Sequence, residues 1–125
     1  MTDRRVTVIT GASSGIGLAA AKLFLDNGDK VYCLSRRSCP IENVISIPCD
    51  ITDDSAVQSS IKEIISQSGQ IDVLICNAGF GISGSVEFTD VDSAVKQFDV
   101  NFFGAVRCIH AVLPYMRAQM AGRII

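Results

Sequence analysis

The sequence predicts an open, parallel α/β sheet, and three observations carry that reading. Short apolar, β-branched runs are continuous rather than alternating, as in strands covered on both faces. Helical patterns separate most of these runs, which implies right-handed crossovers between parallel strands. Glycine-rich turns follow the first and fourth runs, at the carboxyl ends of strands, where open sheets of this kind hold their ligands.

Taken in order, the first strand is Val6 to Thr10. A helix from Ile16 to Asn27 follows and stops at Gly28, a residue suited to the left-handed position after a helix. The second strand is Val31 to Leu34. The gap from there to Val44 is too short and too rich in Pro and Ser for a full helix, so an abbreviated turn is expected. Val44 to Cys49 is the third strand. Thr52 is a natural N-cap for a helix over Asp53 to Ser68, in which Asp53 and Asp54 complement the helix dipole. Val57, Ile61, Ile64 and Ile65 share one face of that helix, and Gly69 ends it. Ile71 to Cys76 is the fourth strand. A long helical stretch runs from about Val91 to Met120, its stripe formed by Phe98, Phe102, Ala105, Ile109, Val112 and Met116. Pro114 lies inside it and should kink it or end its first part. The closing "GRII" reads as the opening of a fifth strand.

The 125 residues suit one domain, 1–125, with a single core. A net charge of -2 and 19% charged residues give no electrostatic pull toward nucleic acid. No stretch approaches the roughly 20 apolar residues of a membrane span. The five cysteines are odd in number, lack CxxC spacing and fall mostly in apolar segments, as in a reducing compartment. The N-terminal "MTDRRVTVIT" lacks the apolar core and small-residue site of a signal peptide, so a cytoplasmic location is expected.

The loops after the strands hold the unusual residues. "TGASSGIG" places Gly11, Gly15 and Gly17 where the first strand turns into a helix, and such a turn can close on a phosphate at the helix N-terminus. A tight structural turn has the same look. "LSRRS" puts Ser35, Arg36 and Arg37 where a dinucleotide-binding fold meets the adenosine ribose. A small residue followed by Arg favours a 2′-phosphate, hence NADP rather than NAD; two solvated arginines are the other reading. "CDIT" offers Asp50 to an adenine amine, with Ile51 packing on the ring, although helix capping explains the same stretch equally well. "CNAGFGISGSVEF" sets Asn77 at a strand end before Gly79, Gly81 and Gly84, which let the backbone pass close to a flat ligand. Asn101 interrupts an apolar helical stripe, where asparagine marks a kink, a water or a ligand. The one histidine, His110, has no partner at ligand spacing, so no metal site is expected and it reads as a helix-face or interface residue.

Together "TGASSGIG", "CDIT", "CNAG" and "DVN" stand in one order that resembles the short-chain dehydrogenase/reductase family along the whole chain. The resemblance implies a Rossmann-type doubly wound parallel sheet of order 3-2-1-4, incomplete here, with about four strands and the start of a fifth. It implies that Gly11, Ser13, Ser14, Gly15, Ile16 and Gly17 bind the pyrophosphate and nearby ribose, and that Arg36 binds the 2′-phosphate. Asp50 and Ile51 would take the adenine, and Asn77, Ala78 and Gly79 the central cofactor region. Family members interconvert a carbonyl and an alcohol by hydride exchange with a nicotinamide, using a serine, a tyrosine, a lysine and an asparagine. Asn101 is the one of these four found here. Tyr115 has no lysine four residues on and lies before the fifth strand. The resemblance implies that "GRII" leads into the strand supplying the serine, with Tyr-x-x-x-Lys beyond it. The expectation is therefore the N-terminal, cofactor-binding part of an NADP(H)-dependent oxidoreductase for a small carbonyl or alcohol, inactive as these 125 residues alone. Its wording leans toward lipid-type or steroid-type carbonyls, and the long helix toward a homo-oligomer of the full-length protein. The alternative is a non-catalytic dinucleotide-binding module or truncated remnant.

Overall fold

The computed structural model describes residues 4–125; Met1 to Asp3, which open the N-terminal segment read above, lie outside them. Five parallel strands form one sheet in the order β3-β2-β1-β4-β5, a Rossmann half-sheet continued by one strand. β1 (Val6–Thr10) lies at the centre and is buried at every residue, which is why its sequence shows no alternation. β2 (Lys30–Ser35) pairs with it through Thr7↔Val31 and Ile9↔Cys33, and β4 (Val73–Ile75) through Thr7↔Val73 and Ile9↔Ile75. β3 (Ile45–Pro48) borders β2. β5 (Arg123–Ile124) pairs with β4 and is exposed, its register fixed by Arg123 N–H to Asp72 O at 2.9 Å and Ile125 N–H to Leu74 O at 2.9 Å.

Each face of the sheet builds its own core. Val6, Val8, Tyr32 and Leu34 point to one side, where α2 (Asp54–Ser68) and α4 (Ala105–Gln119) bury Ile61, Ile64, Cys108 and Val112 against them. Ile9, Val31 and Cys33 point to the other side and meet Ala21 of α1 (Gly15–Asp26). At the amino ends of the strands, the buried Asp29 carboxylate accepts from the Thr7 hydroxyl at 2.6 Å and from Arg5 Nε at 2.9 Å. All five cysteines are free thiols. Burial pushes the Cys108 thiol up to about 12.

Two local expectations are corrected. Thr52 is not the N-cap of α2: Asp53 is, accepting from Ala56 N at 3.2 Å, while the Thr52 hydroxyl turns back to Asp50 Oδ1 at 2.8 Å. Two adjacent residues of capping type compete there, and the carboxylate is the stronger acceptor. The stretch from Val91 to Met120 is not broken by Pro114, which sits within α4. The carbonyl that loses its donor belongs to the exposed His110, where water can replace the bond. The interruption comes earlier, as a π-helical turn, Asp99–Gly104, between α3 (Val91–Phe98) and α4. That turn contains Asn101. The segment between β2 and β3 is helix-free as expected, and β4 is shorter than the apolar run from Ile71 to Cys76. No helix among the described residues is long and apolar enough to cross a membrane.

Candidate functional site

A cleft of about 1160 Å³ lies beyond the carboxyl ends of β1, β2, β3 and β4. Its first wall is the turn from β1 into α1. Gly11 adopts φ +71, and a Cβ there would stand 2.8 Å from Ala78 Cα, so only glycine lets this turn lie against the loop after β4. Gly15 adopts φ +60 with open space where its side chain would project, and that space is the cleft. Ser14, at the N-cap of α1, makes no side-chain cap bond, leaving the first N–H groups of the helix toward the cleft. Ser13, Ser14 and Ile16 line the cleft beside them, and Ile16 is 83% exposed.

Gly17 does something else. It is buried and does not line the cleft; a Cβ there would overlap the Asn77 amide and come within 2.6 Å of Gly11 O. Its smallness brings α1 down onto the sheet beneath the turn.

The second wall is the end of β2, where Ser35, Arg36 and Arg37 line the cleft and the Ser35 hydroxyl donates to Arg37 O. Facing it, Asp50, Ile51 and Thr52 form the loop after β3. Asp50 Oδ1 accepts from Thr52 N at 3.0 Å and from the Thr52 hydroxyl. These two bonds hold the Asp50 carboxyl below its usual range, and Arg36 and Arg107 act in the same direction. Ile51 is only 7% exposed: its Cδ1 end lies over Gly104 rather than standing free to stack on a ring. The loop thus offers a carboxylate, backbone and an apolar flank.

The third wall follows β4. Thr10 Oγ1 accepts from the N–H groups of Asn77 and Ala78, both at 3.0 Å, and Asn77 Nδ2 donates back to Thr10 O at 3.1 Å and Gly11 O at 3.2 Å. The end of β4 is thereby fastened to the β1 turn. Asn101 does not line the cleft; it fastens the next residues along. Its Oδ1 accepts from Phe80 N at 2.9 Å and its Nδ2 donates to Phe80 O at 2.7 Å, an approach that Gly79 permits because a Cβ there would stand 2.8 Å from Asn101 Oδ1.

Of the residues expected at the site, Gly11, Ser13, Ser14, Gly15, Ile16, Ser35, Arg36, Arg37, Asp50, Ile51, Asn77, Ala78 and Gly79 all line this one cleft. Sequence reasoning missed Thr10, Phe80, Lys96, Asp99 and Val100. Asp99 and Val100 stand in the same "DVN" from which Asn101 alone was taken, whereas Lys96 has no signal beyond the α3 pattern. No group of residues able to hold a metal ion occurs among the described residues, and His110 is exposed on α4. A long cleft with glycine backbone and helix N–H groups at its middle and arginines with a carboxylate at one end can hold an extended, phosphate-bearing ligand with a flat base.

The family model described as short chain dehydrogenase matches residues 5–125. The chain is 41% identical to the 3-ketodihydrosphingosine reductase of Bacteroides thetaiotaomicron over 124 residues, covering 97% of this chain and 45% of the relative. It is 34% identical to human 17-beta-hydroxysteroid dehydrogenase type 1, covering 98% of this chain and 42% of the relative. The solved structure of ElxO with NADP bound superposes with a TM-score of 0.90 at 29% identity, covering 97% of this chain and 54% of that one. The chain therefore spans about half the length of the proteins it matches. The order of the loops, the sheet and these likenesses agree: the chain belongs to the short-chain dehydrogenase family.

Proposed function

We propose that the chain is the NADP(H)-binding part of an oxidoreductase that interconverts a carbonyl and an alcohol by hydride transfer. The observation that carries the cofactor choice is the end of β2, where a serine and two arginines line the cleft and no carboxylate occupies that turn. The open space at Gly15 and the uncapped start of α1 fit a pyrophosphate, and the Asp50 loop fits an adenine. The NADP held by the similar ElxO supports the same reading.

When bound, the nicotinamide supplies the hydride. The chain's own residues bind and orient. Ser13, Ser14, Gly15 and Ile16 hold the pyrophosphate, Arg36 with Arg37 the 2′-phosphate, and Asp50 and the Ile51 backbone the adenine. The loop from Asn77 to Gly79, held by Thr10 and Asn101, sets the central part of the cofactor against the sheet. Beyond its two bonds to Phe80, the Asn101 amide keeps one hydrogen and one lone pair, enough to hold a water in a proton relay. The substrate class is a small-molecule ketone or alcohol of lipid or steroid type, supported by the names of the two relatives. The free thiols suit a reducing cytoplasm, and a homo-oligomer is the expected state of the full-length protein.

The test is deuterium transfer. A polypeptide that continues this chain through a serine and a Tyr-x-x-x-Lys helix is incubated with 4-deuterated NADPH and a panel of long-chain and steroid ketones. Deuterium on the carbinol carbon supports the reading; saturable NADPH binding with no transfer to any carbonyl favours the non-catalytic module.

A further inference from the structure

The loop after β3 is held from beneath by two residues of the π-turn and α4, and both holds end on Ile51. The Cδ1 end of Ile51 sits in the notch left by Gly104, where an added Cβ would stand 2.5 Å from Cδ1 and 2.9 Å from Cγ1. The Ile51 carbonyl accepts from Arg107 Nη1 at 3.0 Å. The same guanidinium reaches the start of the π-turn, donating through Nη1 to Asp99 O at 3.1 Å and pairing through Nη2 with the Asp99 carboxylate at 2.5 Å. Asp99 and Ile51 both line the cleft, while Arg107 and Gly104 do not.

We propose that Arg107 and Gly104 are positioning residues for the adenosine end of the cleft, through which α4 sets the height of the Asp50–Ile51 loop and its distance from the π-turn. The inference rests on the dinucleotide reading above. A planar, two-nitrogen fork suits the task, because it can hold two backbone carbonyls and a carboxylate in one fixed geometry. The bridge is half-buried, with the Arg107 side chain 23% exposed and that of Asp99 38%, and it is fixed by three hydrogen bonds from one guanidinium rather than by a lone surface pair. Its charge also favours the ionised form of Asp50, the group that would meet the base. Two independent perturbations of one loop follow. Removing the fork frees the Ile51 carbonyl, whereas adding a methyl group at Gly104 drives the Ile51 side chain upward into the cleft.

The probe is adenosine 2′,5′-bisphosphate, titrated calorimetrically into the full chain and into Arg107→Met, Arg107→Lys and Gly104→Ala, with the melting temperature of each recorded. The expected result is that Arg107→Met and Gly104→Ala each bind the probe roughly tenfold more weakly at a temperature where both are folded. Arg107→Lys, which keeps the charge but not the fork, should fall between them and the parent. Variants that melt earlier yet bind with parental affinity overturn the inference and leave only a structural role. Should Arg107→Met fail to fold, Gly104→Ala decides alone, because Gly104, though it closes the π-turn, has right-handed helical dihedrals (φ -59, ψ -45) that alanine adopts freely, and what an added Cβ meets first is the Ile51 side chain. A parent chain that does not bind the probe overturns the dinucleotide reading first, a result that the variants cannot produce.

Discussion

Gly15 and Gly17 stand two residues apart, and the structure assigns them opposite sensitivities. At Gly15 an added Cβ meets nothing within 4 Å and points into the open cleft, so the main cost of valine to the fold is the backbone strain of φ +60. That strain is about 1 to 2 kcal/mol, at the upper end for a β-branched residue. Against a usual stability of about 5 to 15 kcal/mol the fold survives it. The valine would, however, fill the space where a pyrophosphate must approach the backbone. At Gly17 the backbone is already helical, but a Cβ meets the Asn77 amide, Gly11 O at 2.6 Å and Ala12 Cα at 3.1 Å. Two of these three are backbone atoms, so α1 must lift from the sheet, an overpacking cost of about 1 to 3 kcal/mol or more even for alanine. The assay pairs thermal melting with calorimetric titration of NADPH. Gly15→Val should keep a near-parental circular dichroism spectrum and lose binding. Gly17→Ala should melt several degrees lower, since about 1 kcal/mol moves a domain of this size by roughly 3 to 6 °C. Retained affinity in a folded Gly15→Val would show that the turn is only structural, and a Gly17→Ala as stable as its parent would refute the packing argument.

On the proposed function, replacing Arg36 with serine in a polypeptide that continues this chain through a Tyr-x-x-x-Lys helix should lower kcat/KM for NADPH by roughly 10- to 100-fold while sparing NADH, since one charge-assisted phosphate contact is worth about 1.5 to 3 kcal/mol; unchanged preference moves the assignment to Arg37. The Cys108 thiol, ordinarily near 9.0, is held neutral up to about 12, so the stability it contributes is intact below pH 9 and lost as pH climbs from there to about 12. Cys108→Ala should therefore flatten the alkaline limb of stability measured by denaturant midpoints, whatever its cost at neutral pH, and an unchanged limb would assign that slope to other groups. Val86, Phe88, Val91, Val95, Phe98, Phe102 and Phe103 are each at least half exposed on the segment from a 3₁₀ turn, Val86–Phe88, through the π-turn. These 125 residues alone should accordingly self-associate in sedimentation velocity and, with no Tyr-x-x-x-Lys among them, oxidise no NADPH with any ketone; a monodisperse monomer or measurable turnover contradicts this.

How much of this was legible in advance depended on range. β1 was readable to the residue because burial on both faces leaves a continuous run in the sequence, and Gly28 and Gly69 announced helix ends with their left-handed backbones, φ +94 and +75. The cleft-lining residues on the loops after the strands were readable because strand ends of a parallel sheet converge by topology, whereas Lys96, Asp99 and Val100, on α3 and the π-turn, were not. Thr52 misled because local preference does not decide between neighbouring caps. The π-turn was hidden: the 3–4 spacing runs unbroken in the sequence, although the extra residue turns Phe98 and Phe102 to the outside while Val112 and Met116 are buried, and only the out-of-place Asn101 hinted at it. The partners that fasten the walls are distant in the chain, 67 residues from Thr10 to Asn77, 21 from Phe80 to Asn101 and 56 from Ile51 to Arg107. No periodicity reports such contacts. The close packing at Gly17 was not legible either, because a glycine turn does not distinguish a residue that admits a phosphate from one that admits a helix.

The central claim is that the cleft is shaped for a dinucleotide bearing a 2′-phosphate. Its most direct test is calorimetric titration of this chain with NADPH and NADH in the same low-salt buffer. Saturable binding of one NADPH per chain, tighter than NADH by roughly tenfold or more, is the predicted result. Equal affinity for the two, or none for either in a folded chain, would contradict it.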